Sequence, residues 1–425
     1  MRSTHCQILR SLLLSGIIAC QPRDTARPVG QRLSLTPLPS PAGARAAEPF
    51  VSTTRDGNLA MSWLERGDDS VTVALRLATL DSTGAWTVRP DVIRSQRLFV
   101  NWADFPSVVS LSDGRLLAHW LQKNGAGKYA YDVRLAQSTD GGATWSSSVT
   151  PHGEGIQAEH GFVTLLPGDD GSADILFLNG SEPPPPPANV PAGTEVRGPP
   201  MRLAHARWGS DAGAPPPPTI LDERTCDCCQ TAAAVTTRGP VVLYRDRSET
   251  ETRDISVRRL VNGAWTASSP LHADNWTIDA CPVNGPAISA VGDTVAAVWF
   301  TGARDTAKVQ LVFSSDAGAT FGAPVRIDAG VPAGRVDVEM INGAEAIVTW
   351  VERTAKDTSE VRARIVRRDG TAEPSFTVAK LPQGRASGFP RMVRRGAGVT
   401  LAWTVPGTPA APGSIQLADL RVAPR

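Results

Sequence analysis

Apolar residues along this chain recur at alternate positions in short runs, and the runs come in groups. Seven runs end in an aromatic residue: 59–63, 116–120, 174–177, 241–244, 294–299, 346–350 and 399–403, closed by Trp63, Trp120, Phe177, Tyr244, Trp299, Trp350 and Trp403. An apolar run precedes each, as at 108–111, 162–165, 232–235 and 287–291, and an alternating one follows, as at 309–313. A period of two is the signature of strands with one face buried, and almost nothing in the chain has the 3.6-residue period of a helix. Units of three or four short strands, spaced roughly fifty to sixty residues apart, predict a propeller rather than a sandwich. The expectation is therefore an all-β β-propeller of seven blades, with six as the alternative. The last unit runs out after 415–420, so its outer strand is expected from residues 32–35, which would close the ring.

A short turn is written twice. Ser138-Thr139-Asp140-Gly141-Gly142-Ala143-Thr144-Trp145 returns as Ser314-Ser315-Asp316-Ala317-Gly318-Ala319-Thr320-Phe321, with partial copies at 81–86, 209–214 and 262–265. Asp140 and Asp316 can accept hydrogen bonds from turn N–H groups, the serine and threonine hydroxyls can add to them, and Gly142 and Gly318 can take positive φ. The aromatic that follows, Trp145 or Phe321, can pack between neighbouring sheets. This turn resembles the Asp-box, or BNR repeat, of the sialidase-like β-propellers, where its role is structural.

Composition changes little. A chain of 425 residues can bury a large core, and a formal net charge of +1 gives no reason to expect nucleic acid as a partner. The N-terminus is more informative. Arg2 and Arg10 flank a polar start, 12–19 is apolar, and Ile17-Ile18-Ala19-Cys20 resembles a bacterial lipobox. The domain reading is a lipoprotein signal peptide at 1–19, lipidation at Cys20, a flexible tether at 20–47 and the propeller at 48–425. An ordinary secretory signal or a weak membrane anchor, with Cys20 incidental, is the alternative; the apolar run is shorter than the roughly 20 residues a transmembrane span needs. A cell-envelope location, with the membrane as partner through the anchor, follows from the first reading. Pro183, Pro187, Pro215 and Pro218 bracket a Pro- and Gly-rich loop in the third unit.

In a propeller the loops leading into each innermost strand, and those between second and third strands, meet on one face around the channel. Those loops carry Asn101-Trp102-Ala103-Asp104, His152, Glu154, Glu159-His160, Cys226-Asp227-Cys228-Cys229, Arg245-Asp246-Arg247, Arg253-Asp254 and the stretch 274–282 with Trp276, Asp279 and Cys281. Four clustered cysteines in an exported protein point first to two disulfides. A bond between the neighbours Cys228 and Cys229 would be strained, so Cys281 is expected to pair with one of the other three. The alternatives are a soft metal site of Cys226, Cys228, Cys229 and Cys281, with His160 as a further ligand, or a redox-active pair. No other cofactor is expected. Arg245 and Arg247 can clamp a carboxylate, or can pair with neighbouring acids as a structural network.

The Asp-box resemblance covers residue 48 to the C-terminus and implies comparison with sialidases, which hold sialic acid with three arginines and attack with a tyrosine activated by glutamate. The matching pattern departs at two places. Pro49-Phe50-Val51-Ser52 stands where the first arginine is expected, and the tyrosines Tyr129, Tyr131 and Tyr244 all come too early for the nucleophile. Asp69 is the nearest match to the sialidase acid/base. Residues 226–286 also resemble a group of bacterial sialidase-like exported proteins without an established function, which join a cysteine-rich loop, Tyr-Arg-Asp-Arg and Cys-Pro-Val-Asn-Gly. The functional expectation is a propeller that binds a carbohydrate or other anionic ligand on its loop face through Arg245, Arg247, Trp102 and Trp276. An exo-glycosidase of the sialidase type, with Asp69, Asp246, Asp279 or Glu159 as candidate acids, and a metal or redox protein are the alternatives.

Overall fold

The computed structural model describes residues 31–153, 155–180, 200–209, 215–409 and 411–425. Seven antiparallel sheets are arranged as blades, six with their strands in chain order and the last with an outer strand from the N-terminus. The innermost strands are Ala46–Thr53, Ser107–Ser110, His160–Pro167, Ala232–Thr236, Ala287–Val291, Val331–Asn342 and Arg391–Arg395. Residues of all seven line one central channel of about 440 Å³. The seven-bladed expectation holds. Among the described residues only two short 3-10 turns, Ala303–Asp305 and Arg385–Ser387, interrupt the strands, and no helix is long and apolar enough to cross a membrane.

The aromatic-ended runs are the second strands, and their aromatics are the blade cores. Trp63, Phe177 and Trp350 are fully buried, and Trp120, Tyr244, Trp299 and Trp403 nearly so. A strand presents alternate residues to one face, so one large ring within each second strand fills the space between adjacent blades.

Closure comes from the N-terminus as expected. Leu33–Leu38 pairs antiparallel with Ser414–Val422, from Leu33 opposite Val422 to Leu38 opposite Leu417. This corrects the tether boundary: the propeller begins at about Leu33, inside the stretch read as tether, and the innermost strand of blade 1 starts at Ala46. Burial explains it, since Leu33 joins the core of the last two blades and an unpaired edge at Ser414–Val422 would leave a row of backbone groups without partners. The signal peptide, Cys20, the loop prolines Pro183 and Pro187, Glu154 and the partial turn copy at 210–214 lie outside the described residues.

The turn written twice is built the same way both times, on the face opposite the functional loops. Ser138 Oγ donates to Asp140 Oδ1 at 2.8 Å, Gly142 N donates to Ser138 Oγ at 2.8 Å, and Thr144 N and Oγ1 donate to the two Asp140 oxygens at 2.9 and 2.6 Å. Ser314, Asp316, Gly318 and Thr320 repeat these bonds at 2.7 to 2.9 Å. Gly142 and Gly318 sit at φ 90° and 75°, and a Cβ there would press on Leu77 and Val241 of the preceding blades. Trp145 and Phe321 then pack against those same blades.

Candidate functional site on the loop face

The loops entering blades 2 to 5 converge, and a few polar side chains staple them. Gln230 donates through Nε2 to Ala103 O at 2.5 Å and accepts at Oε1 from Gly285 N at 2.9 Å, joining three loops. Asn284 accepts from Arg335 N at 2.7 Å and donates to Ala333 O at 3.2 Å. The Cys-Pro-Val-Asn-Gly segment is thus a structural turn: Asn284 ties blade 5 to blade 6, and a Cβ at Gly285 would collide with the Gln230 backbone.

On this frame the expected anion clamp divides. Arg245 is 2% exposed. Its guanidinium donates to Asn284 O, Arg253 O and Phe300 O at 2.5 to 2.9 Å and lies 5.0 Å from the Trp276 ring centre. Its donors are consumed by the fold. Trp276 is buried with it, edge-on to Phe300, and Trp102 has its ring occupied by Arg335 at 5.0 Å and by Phe389. Neither indole presents an open face for a sugar.

Arg247 differs. It pairs with Glu251 at 2.9 Å, yet its Nη1 is buried without a hydrogen-bond partner. Asp227 Oδ1 lies 3.8 Å from it, beyond hydrogen-bonding distance. Arg253 joins the group through Glu251 at 2.6 Å and Asp227 at 3.4 Å.

Glu159 stands beside this network. Its carboxylate accepts from the Tyr131 hydroxyl at 2.7 Å. Burial, with the Asp227 charge adding to it and the Tyr131 bond opposing it, pushes Glu159 up to about 7. Asp227 is itself raised, mainly by burial. Asp104, on the other side of Tyr131, accepts from Phe162 N at 2.8 Å and is held well above the usual carboxyl range by burial. A half-buried carboxyl that gains and loses a proton near neutrality, with a second raised by burial beside it and a guanidinium with an unpaired donor, is what proton transfer on an anionic substrate requires.

The other candidates sit elsewhere. Asp69 is exposed and caps its own turn through Val71 N, Thr72 N and the Thr72 hydroxyl at 2.7 to 3.0 Å, which hold its carboxyl low. Asp246 accepts from Ser256 Oγ at 2.9 Å and Arg247 N at 2.7 Å. Asp279 is on the exposed part of its loop. The structure makes Tyr131 a member of the site, which its early position in the chain concealed; the parallel bridge of Tyr131 with Glu159 joins residues of two blades. At 0% exposure Tyr131 orients Glu159 and cannot itself meet a substrate.

The expected disulfides are not formed. Cys226, Cys228, Cys229 and Cys281 are free thiols, with Cys226 Sγ 3.2 Å from Cys229 Sγ and 3.7 Å from Cys228 Sγ. The Sγ–Sγ separations are well beyond the roughly 2.05 Å of a disulfide bond. His160 is not with them: it stacks on His152 at 3.8 Å, grouped with Asp132, and bonds Tyr131 O through Nδ1 at 3.1 Å.

No family model matches the chain, and no curated protein matches it significantly. Among solved structures it is similar to the polysaccharide lyase Uly1, with a TM-score of 0.53 and 10% identity over 94% of each chain. An ulvan lyase bound to -[GlcA(1-4)Rha3S]- matches at 0.53 and 12% identity, over 88% of this chain and 94% of that one. A microbial sialidase, Hz136, matches at 0.42 and 15% identity, over 72% of this chain and 63% of that one. At such identities the likeness establishes the fold alone: this chain is a seven-bladed β-propeller.

Proposed function

We propose that the protein is a carbohydrate-active propeller that takes an acidic glycan on its loop face, between blades 2 and 4. The observation that carries this reading is the unused Arg247 Nη1 donor beside Glu159 and Asp227, the two carboxyls raised by burial. The guanidinium of Arg247, just beneath the surface, supplies the positive charge that holds the glycan's carboxylate or sulfate, Glu159 moves a proton, and Tyr131 holds Glu159 in place. The acidic repeat held by one of the similar structures supports the substrate class. A tyrosine nucleophile of the sialidase kind is not part of the reading, because Tyr131 is enclosed. The N-terminal segment with Cys20 adds export and lipid anchoring, which would present this face to polymers at the cell envelope.

The test is a panel of acidic polysaccharides and their neutral counterparts, scored for binding by affinity electrophoresis and for cleavage by reducing ends and by ultraviolet absorbance of unsaturated uronates. Wild type should bind an acidic member more tightly than its neutral counterpart. Arg247→Ala should weaken that binding about tenfold or more, the loss of one charge-assisted hydrogen bond. Equal affinity for charged and neutral glycans, or an unchanged Arg247→Ala, would overturn the reading.

A further inference from the structure

The loop at the start of blade 4 gathers three sulfurs and leaves them unpaired. The Cys226, Cys228 and Cys229 sulfurs all lie within 4.8 Å of one another. Cys281, from the next loop, comes within the same distance of Cys228 and Asp227. Metal–sulfur bonds of about 2.3 Å put sulfurs about 3.8 to 4 Å apart around a tetrahedral or trigonal ion. The observed 3.7 Å is within a few tenths of an ångström of that, and the observed 3.2 Å needs to open by less than about 1 Å.

A second, independent observation is charge. Arg245 is a buried guanidinium whose donors all end on backbone carbonyls, and among the described residues it pairs with no carboxylate. A buried cation without a counter-ion is costly. The thiol group lies beside it: Cys226 N donates to Arg245 O at 3.0 Å, and Arg253 Nη1 donates to Cys226 Sγ at 3.3 Å. Three thiolates around a monovalent ion carry a net charge of minus two; Arg245, which has no carboxylate partner, offsets one of these charges, and Arg253 is already shared with Glu251 and Asp227.

We propose that Cys226, Cys228 and Cys229 bind one soft monovalent cation, a cuprous ion, as a three-coordinate thiolate site on the loop face. Soft sulfur ligands select this ion, and the fourth sulfur lies toward Cys228 and Asp227 rather than closing a tetrahedron around the other three. Cys281 is exposed and Cys228 half-buried, so an ion can arrive along that side and pass inward. Gln230, next in the chain to Cys229, fixes the loop in place before metal arrives.

The full-length protein, reduced and kept anaerobic, is titrated with Cu(I) against a chromogenic Cu(I) chelator and, separately, with Zn(II) against a zinc indicator. Bound metal is counted by mass spectrometry, and the number of sulfur ligands is read by X-ray absorption. One Cu(I) per chain with three sulfur neighbours is expected. Cys228→Ser should lower its affinity at least tenfold, and Cys281→Ser by less. Because Cys226 and Cys229 are buried and their variants can misfold, Cys228→Ser carries the test, with circular dichroism confirming its fold. Failure to retain Cu(I), tight four-sulfur Zn(II) binding, or disulfide-bonded cysteines in protein isolated without reductant would each overturn the proposal. Glycan affinity measured on the same metal-loaded and metal-free samples reports separately on the carbohydrate reading.

Discussion

Glu159 shows how much one residue owes to its surroundings. As a sequence position it is one acid in a loop, with nothing to separate it from Asp69 or Asp279. Its raised proton affinity comes from burial and from Asp227 of the neighbouring loop, against the opposing pull of the Tyr131 hydroxyl on another blade. If cleavage is observed, Glu159→Gln should abolish it while leaving glycan affinity within about tenfold, since the amide keeps the Tyr131 bond and loses only the proton. Tyr131→Phe should leave the fold intact and raise the apparent Glu159 pKa, because it removes the hydrogen bond that favours the carboxylate; a pH–rate profile identical to wild type would remove Tyr131 from its positioning role. Both residues could be read in the sequence, yet their partnership could not, because strand pairing and loop approach join positions 28 apart through a bridge that no local pattern encodes.

At the scale of the element, legibility was high because the information is local. Second strands repeat an aromatic followed two residues later by a polar partner on the same face. Trp63 donates to Glu65 at 3.0 Å, Trp120 to Gln122 at 3.4 Å and Trp350 to Glu352 at 2.7 Å. The period of two puts both side chains on one side of the strand, so each buried indole carries its own acceptor along. Trp350→Phe keeps the packing but leaves the buried Glu352 short of a donor; thermal or denaturant unfolding should show a loss of about 1–3 kcal/mol. An unchanged midpoint would mean that Glu352 finds another partner. The turns at Asp140 and Asp316 belong to the same class of signal, since every bond in them spans five residues or fewer.

The whole molecule adds closure and a channel, and both have consequences. Deleting residues 33–38 should remove the outer strand of blade 7, expose the Ser414–Val422 edge and lower the unfolding midpoint, with association of the truncated protein on size-exclusion chromatography; a monomer of wild-type stability would contradict the closure. The channel also sets the pH dependence. Glu339, lining it beside Asp337, is pushed by burial up to about 8, and Glu159 to about 7, against an ordinary 4.5. The folded state therefore holds protons that the unfolded chain releases, so these groups' contribution is complete below about 4.5 and is lost as pH rises through 7 to 8. His119, held by burial near 3 against 6.5, acts oppositely and destabilises the fold as pH falls through that range. Glu339→Gln should flatten the alkaline side of a stability-against-pH curve measured by denaturant unfolding, and leave the acid side as it was.

From the sequence by itself came the strand period, the seven repeated units, the self-satisfying turns and the N-terminal closing strand, because each rests on neighbours along the chain or on a repeat of the same local pattern. The tertiary structure alone decided which loop residues are spent and which are free. It turned Arg245 inward onto carbonyls, left Arg247 with an open donor, set Tyr131 under Glu159, and left four cysteines as neighbouring thiols. The reason is geometric: a ring of blades brings together loops that lie far apart in sequence, and burial, charge and hydrogen bonding act across those gaps rather than along the chain.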